Sequence, residues 1–524
     1  MTNPLELSSL RFLYLDCQTT GLGPGKGAIL ELGWSFHSQG VESRLVQPPP
    51  EALERVPKTV WRMTGLVPED LSGAPAVADV WKQILEQAAA LNPAYAVIHY
   101  AQFETPFLRQ LHESVAGESD LPWKVLCTHR MAKRVFPDLP AHTLRALSGH
   151  FGFTLPEEHR SPDHVAATQV IWKHLLVGLK AQGVESREDL ERWLASPTIK
   201  RADPARKRKY LTPRQDRLDL PLGPGVYEML SLTGEILYIG KATCLRDRVN
   251  SYYRQRKTTR TRLKELMTQV GQVKVTETAT PLEAALLEND RIKSVQPPYN
   301  ELLRTRDRRL FYFSYDLEQA SPTPDASHHW GPFTSKDAFD SLQRLLWIER
   351  GELENLDVEL LKHSPEVTRE ALEKTAERVG MRGDWTLARL LHLGRRLPKQ
   401  ESKAEEETPE EAIHRKVKWA VRRLHHARWL CWLTESDVSW KLPTEEQWRH
   451  LRVRGGRLVE NDGRTRIPFR DRQARMDLEC YDRMRILSTE LGVMAKKGAA
   501  IRLKLGVTRE LSEKDLLRLL GAAE

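Results

Sequence analysis

The stretch GPGVYEMLS from Gly223, then Thr233-Gly234, then EILYIGK ending at Lys241, constrains the chain more than any other. Two β-rich runs across a short polar turn read as a hairpin. Eleven residues separate Tyr227 from Tyr238, so the two phenols lie on adjacent strands and can share a face. Gly240 permits close backbone approach to a ligand, and Lys241 leads into a helix bearing Arg246 and Arg248 over a packing face of Leu245, Val249 and Tyr252. A later helix carries Glu288 after the apolar run AALL, and Asn300 follows PPY at a turn beyond that helix. From Lys241 to Lys264 there are nine Lys or Arg against one acid, Asp247, with Tyr252 and Tyr253 among them, a pattern suited to a nucleic-acid backbone.

This unit needs about ninety residues, whereas the chain has 524 and must hold more than one core. Hydrophobic residues at 40% and charged residues at 29% exclude both a membrane protein and a chain disordered throughout. The formal charge of +9 leans mildly towards a polyanion partner. Five scattered cysteines offer no zinc-knuckle or redox spacing, and the opening residues suit neither a signal peptide nor a spanning helix, so the reducing cytoplasm is the expected compartment.

Upstream, RFLYLD and AILELGWSF read as strands, VADVWKQILEQAAAL as a helix, AYAVIHY as a strand and VAATQVIWKHLLVGL as a helix ending near Lys180. This is one α/β domain, placed at 1–182. A basic linker is placed at 183–219, where Ser196 to Arg217 alone holds three prolines and eight Lys or Arg. The hairpin unit occupies 220–310, a mainly helical stretch 311–398, an acidic linker 399–412 and a basic C-terminal region 413–524. In that last region the helix His414 to Leu433 could grip phosphates or stack bases, or pack its tryptophans into a core, and EKDLLRLLG reads as a terminal helix.

Phosphodiester hydrolysis needs a base to activate water, cations to absorb charge on the phosphorane and a metal to stabilise it or the leaving oxygen. A lone YIG usually means aromatic packing. Here GVY, YIGKA, LRDRVNSYY, LEAALLEND and PPYN occur in order, and together they resemble the GIY-YIG nucleases, closest to the UvrC-type incision module of nucleotide excision repair. The resemblance implies that Tyr227 supports the site, Tyr238 is the general base, Lys241 and Arg248 contact phosphate and Glu288 holds one Mg²⁺ or Mn²⁺, with Asn300 completing the set.

The opening YLDCQTTGLGPG resembles the first motif of DnaQ-type 3′–5′ exonucleases, with Asp16 in place but Gln18 where a second acid belongs. HYAQFETPFL resembles the second motif, with Tyr100 for its Asn and Glu104 for its Asp. HRSPDHVAAT matches the histidine-type third motif from His159, yet His164 takes the carboxylate position and Asp163 sits one residue early. Two-metal catalysis needs several carboxylates, and these losses imply a disabled site.

After the hairpin unit, NELLRTRDRRLFYF and HHWGPFTSKDAF resemble the continuation of UvrC-type proteins. No cysteine-rich segment follows, nor an Asp/His set matching their second nuclease domain. The expected fold is multidomain α/β: an RNase H-like exonuclease fold, a small α/β GIY-YIG domain and a mostly helical C-terminal region. The expected activity is metal-dependent, structure-specific cutting of one DNA strand in repair. The alternative is a non-catalytic nucleic-acid-binding scaffold.

Overall fold

The computed structural model describes residues 6–36, 40–196, 208–254, 260–301, 308–352, 363–381, 383, 385–393, 397, 408–459, 476–505 and 509–511. The chain divides into two compact units, 1–281 with 297–301 and 282–296 with 302–524.

The first unit opens with strands β1 (Phe12–Thr19), β2 (Ile29–Phe36) and β3 (Glu42–Leu45). Helices α1 (Pro50–Glu54), α2 (Lys58–Thr64) and α3 (Val77–Leu91) precede β4 (Tyr95–Ile98), α4 (Ala101–Ala116), β5 (Lys124–Cys127), α5 (Thr128–Val135), α6 (Leu144–His150), α7 (Ser161–Lys180) and α8 (Arg187–Ala195). The sheet runs β3-β2-β1-β4-β5, antiparallel across the first three strands and parallel across the last three. Strand alternation divides β1 between two cores: Leu13, Leu15 and Cys17 pack with α3 and α4, while Phe12 and Tyr14 pack with α7. Helix α7 comes close because Gly33 has no side chain, since a Cβ there would lie 2.8 Å from that of Ser161. Buried Glu31 fastens the contact, accepting two hydrogen bonds from Arg160 and one from the Ser161 amide.

The linker placed at 183–219 starts too early. Ser186 and Asp189 form a capping box on α8, and Leu190 is wholly buried in the α7 core, so the first module runs on through this helix. The motif is local and legible; the basic residues beyond it masked it. Residues 197–207, the centre of the expected linker, lie outside the described residues. The segment after them is docked: Tyr210 packs on Tyr253 and Thr212 Oγ1 donates to the Val270 carbonyl.

The hairpin forms as read. After the short helix α9 (Arg214–Leu218) come β6 (Gly225–Leu230), β7 (Ile236–Ala242), α10 (Leu245–Tyr252), α11 (Thr261–Gln269) and β8 (Gln272–Glu277), with antiparallel order β7-β6-β8.

The second unit begins with α12 (Pro281–Val295) and contains β9 (Phe311–Ser314), β10 (Ala320–Ser321), β11 (His328–Phe333), α13 (Asp340–Arg350), α14 (Pro365–Glu377) and α15 (Leu387–Leu393). Helix α16 (Pro409–Leu433) follows, then β12 (Ser436–Lys441), β13 (Arg449–Arg454), β14 (Arg457–Leu458), α17 (Leu478–Lys496), β15 (Ala500–Leu505) and β16 (Arg509–Leu511). The C-terminal region expected to be mostly helical also holds an antiparallel five-stranded sheet, β14-β13-β12-β15-β16. Its strands are short; β15 alternates buried Ile501, Leu503 and Leu505 with exposed Arg502 and Lys504, a period-two signal that was legible but not read. The acidic linker placed at 399–412 ends inside α16, where Thr408 caps the helix and Glu410 and Glu411 sit in its first turn. Residues 401–407 and the terminal helix read at EKDLLRLLG lie outside the described residues.

Helix α16 is a core element. Trp429 is buried and donates from Nε1 to Ser488, and Val417, Leu424, Leu430 and Leu433 are buried with it. Asp482 on α17 has no exposed side-chain area, and takes Lys293 from α12 at 2.9 Å and a bidentate Arg308 at 2.7 and 2.8 Å. Burial would raise its pKa, but these cations outweigh it and hold the carboxyl below the usual range. Removing one partner of such a cluster leaves buried charge uncompensated, so Asp482→Asn is expected to cost about 3–5 kcal/mol. Because the folded pKa is depressed, the wild-type contribution is present above about pH 4 and lost as pH falls through the folded value. Chemical denaturation of both proteins at pH 7 and pH 3, with a smaller gap in acid, checks this.

Candidate active sites

Within the hairpin module, register places Tyr227 opposite Gly240 and Tyr238 opposite Met229, so both phenols leave one face of the sheet. Their ring centroids are 6.2 Å apart. Tyr252, one turn beyond Arg248 on α10, completes a triangle at 6.0 Å from Tyr227 and 6.3 Å from Tyr238. The Tyr227 and Tyr252 hydroxyls are 2.7 Å apart. Tyr227 is fully buried, and burial first, then the neighbouring phenols, pushes its pKa far above the ordinary value. It stays a neutral phenol, whereas Tyr238 is half-buried.

Arg248 lies with its guanidinium 5.1 Å over the Tyr252 ring. Partial desolvation works against its charge, but Tyr227, Tyr252 and Tyr238 more than offset this and leave it firmly protonated. Gly240 is required by the same packing: a Cβ there would collide with the Tyr227 hydroxyl. Asn300 reaches β7, accepting the Ile239 amide at Oδ1 and donating from Nδ2 to the Ile239 carbonyl, each at 2.9 Å. Lys241 pairs with Val226, one residue out of phase with the tyrosines, so its Cβ leaves the opposite face near the end of the strand. Glu288 is a half-buried residue of α12 in the second unit. The structure thus gathers Tyr227, Tyr238, Arg248 and the missed Tyr252, and uses Asn300 to pin their strand. The i, i+4 spacing of Arg248 and Tyr252 was the available signal. Among the described residues no three His, Cys, Asp or Glu side chains are grouped to hold a metal. A single hard carboxylate such as Glu288 suits Mg²⁺, which keeps most of its ligands as water.

In the first module the motif residues do meet, around Asp16. His164 Nδ1 lies 3.1 Å from Asp16 Oδ1, and Gln18 Nε2 donates to Oδ2 at 2.9 Å. Glu104 is buried and accepts the Cys17 amide at 3.2 Å. Burial first, then Asp16, raises its pKa well above the ordinary carboxylate value. Both oxygens of Asp16 are already engaged, by His164 and Gln18. Burial opposes the charge of His164, but Asp16 raises its pKa. His159 lies 5.4 Å from His164 between ring centres and, through burial and then His164, falls to about 4. Two closely spaced divalent cations do not fit this set. Tyr100 keeps a left-handed backbone, φ 58°, which Asn adopts far more readily than Tyr. His99, missed in the sequence, is buried behind the site, bonded to Thr128 at 2.8 Å, and driven down to about 3 by burial and by His129, His164 and His142.

These two folds are matched by known families. Residues 13–168 match the family described as Exonuclease, and 223–301 match the UvrC-like GIY-YIG domain. The chain therefore joins an exonuclease-type domain to a UvrC-like GIY-YIG domain. A Mycobacterium tuberculosis protein named as a bifunctional exonuclease/endonuclease is 30% identical over 316 residues, covering 57% of this chain and 46% of that one. UvrABC system protein C of Nitrosomonas europaea is 45% identical over 141 residues, 25% of this chain and 22% of its own. The magnesium-bound GIY-YIG N-terminal endonuclease domain of UvrC from Thermotoga maritima is 30% identical, covering 17% of this chain and 93% of that domain, with a TM-score of 0.15. The chain spans less than half of either curated relative's length. Among the described residues no helix is long and apolar enough to cross a membrane.

The Asp16–His164 pair makes a pH signature. A raised folded pKa means that its stabilisation is complete below about pH 6.5 and withdrawn as pH rises through the folded value. Thermal melts of wild type between pH 6 and 9 are expected to fall more steeply than those of His164→Asn, and parallel curves would contradict this.

Proposed function

We propose that this protein is a metal-dependent endonuclease that hydrolyses a phosphodiester on one strand of DNA at the GIY-YIG module, and that its exonuclease-type module has lost catalysis. The observation that carries the reading is the triangle of Tyr227, Tyr238 and Tyr252 beside Arg248, within a segment matched by the UvrC-like GIY-YIG family.

Tyr227 is too deeply buried to ionise, so it serves as a neutral anchor that orients Tyr252. The half-buried Tyr238 accepts a proton from water. The resulting hydroxide attacks phosphorus while the bond to one ester oxygen breaks, and that oxygen leaves with a proton from solvent. Arg248 favours the tyrosinate and balances charge on the phosphorane. Asn300 keeps β7 in place, and Lys241, from the end of the strand, meets a flanking phosphate. Glu288 would hold one Mg²⁺ or Mn²⁺, which when bound supplies Lewis-acid stabilisation of the phosphate and leaving oxygen.

In the exonuclease-type module, Asp16 is committed to Gln18 and His164, and burial works against the charge of Glu104, which supports loss of 3′-end shortening. A role in DNA repair on damaged or branched substrates follows the likeness to UvrC. The scaffold alternative has support only in this first module, where Gln18 and His164 stand in place of carboxylates.

A panel of labelled duplex, flap and bubble DNAs with Mg²⁺ or Mn²⁺ tests the reading. Wild type is expected to nick one strand, and Glu288→Ala and Tyr238→Phe to lose about a hundredfold or more, the usual scale for general-base catalysis. Nicking unchanged in Glu288→Ala removes that carboxylate from the site, and no nicking by wild type on any substrate returns the scaffold reading.

A further inference from the structure

The exonuclease-type module and the hairpin module meet along α6 and α11. The Ala141 amide donates to Thr268 Oγ1 at 3.0 Å, and His150 Nδ1 lies 3.0 Å from the Thr268 carbonyl. At the centre Thr143 Oγ1 donates to Glu265 Oε2 at 2.6 Å. The other oxygen of that carboxylate, Oε1, accepts the buried Tyr299 hydroxyl at 2.9 Å. Gln269, one turn on, donates to the same Tyr299 oxygen at 2.6 Å and fills the space left by Gly149, where a Cβ would collide with it.

Tyr299 in turn belongs to the turn that holds the YIG strand. Its amide donates to the Leu237 carbonyl at 3.1 Å, and the next residue, Asn300, takes both backbone groups of Ile239. Tyr238 stands between those two anchored residues. A continuous path of hydrogen bonds therefore runs from α6, through Glu265 and Tyr299, to the backbone on each side of Tyr238.

We propose that the exonuclease-type module, having lost its own chemistry, acts as a buttress that positions the YIG strand, with Glu265 and Tyr299 as positioning residues and Thr143 and Gly149 as its contact on the other module. Nothing in this path needs a metal in the first module, so the buttress survives the loss of those carboxylates. The effect on cutting rests on the endonuclease reading above; the effect on the strand does not.

The test uses the full chain with Glu265→Gln, Gly149→Ala, Thr143→Val and the conservative Thr143→Ser. A glutamine has one acceptor oxygen for two donors, and an alanine at 149 displaces Gln269 from Tyr299. Hydrogen exchange of the peptide Ile236–Ala242, read by mass spectrometry, is expected to quicken in Glu265→Gln, Gly149→Ala and Thr143→Val and to stay at the wild-type rate in Thr143→Ser. Nicking of a short duplex in Mg²⁺ is expected to lose about tenfold or more in kcat in the first three variants, as misplacement of a reacting group does, with KM within about twofold. Wild-type exchange in Glu265→Gln and Gly149→Ala overturns the buttress, as does faster exchange with wild-type kcat. If wild type itself fails to nick, the endonuclease reading fails and the exchange data alone decide whether the strand is held.

Discussion

Everything at the hairpin site depends on one buried contact, the Tyr227 phenol lying against the bare α-carbon of Gly240. Only a glycine leaves room for that hydroxyl, and only a buried tyrosine with a partner for it can remain there at acceptable desolvation cost. Tyr252 is that partner. Tyr227 stays neutral, Tyr238 is only half-buried and Arg248 keeps its charge. What distinguishes Tyr227 from the other two phenols is thus its burial.

The first module arranges its polar groups differently. There they satisfy one another: Asp16 is shared by an amide and an imidazole, and buried Glu104 accepts the Cys17 amide, its pKa pushed up by desolvation and by Asp16. The same module is fastened to α11 beside α6, through Ala141, Thr143 and His150.

In the second unit, the basic helix α16 illustrates why composition misleads. Trp429 and the leucines go inward, while Arg423 and Arg428 lie over the edge tryptophans Trp419 and Trp432. The buried Asp482 draws Lys293 and Arg308 to itself, so α12, which carries Glu288, is anchored by charge as well as by Leu282 and Leu286.

Alternation and turn residues were enough to read the hairpin, strands β1, β2 and β4 of the first module and its helices α3 and α7, because period and capping are properties of neighbours along the chain. The motif order was likewise sufficient to choose Tyr227, Tyr238 and Arg248, and to show Gln18 and His164 where the exonuclease motifs carry acids. The face taken by Lys241, the use of Asn300 as a pin on Ile239, the third tyrosine and the Glu265 bridge were decided by the tertiary structure. Each depends on strand register or on a hydrogen bond closing over tens of residues, and burial in the assembled fold decides which of several equal phenols is kept neutral.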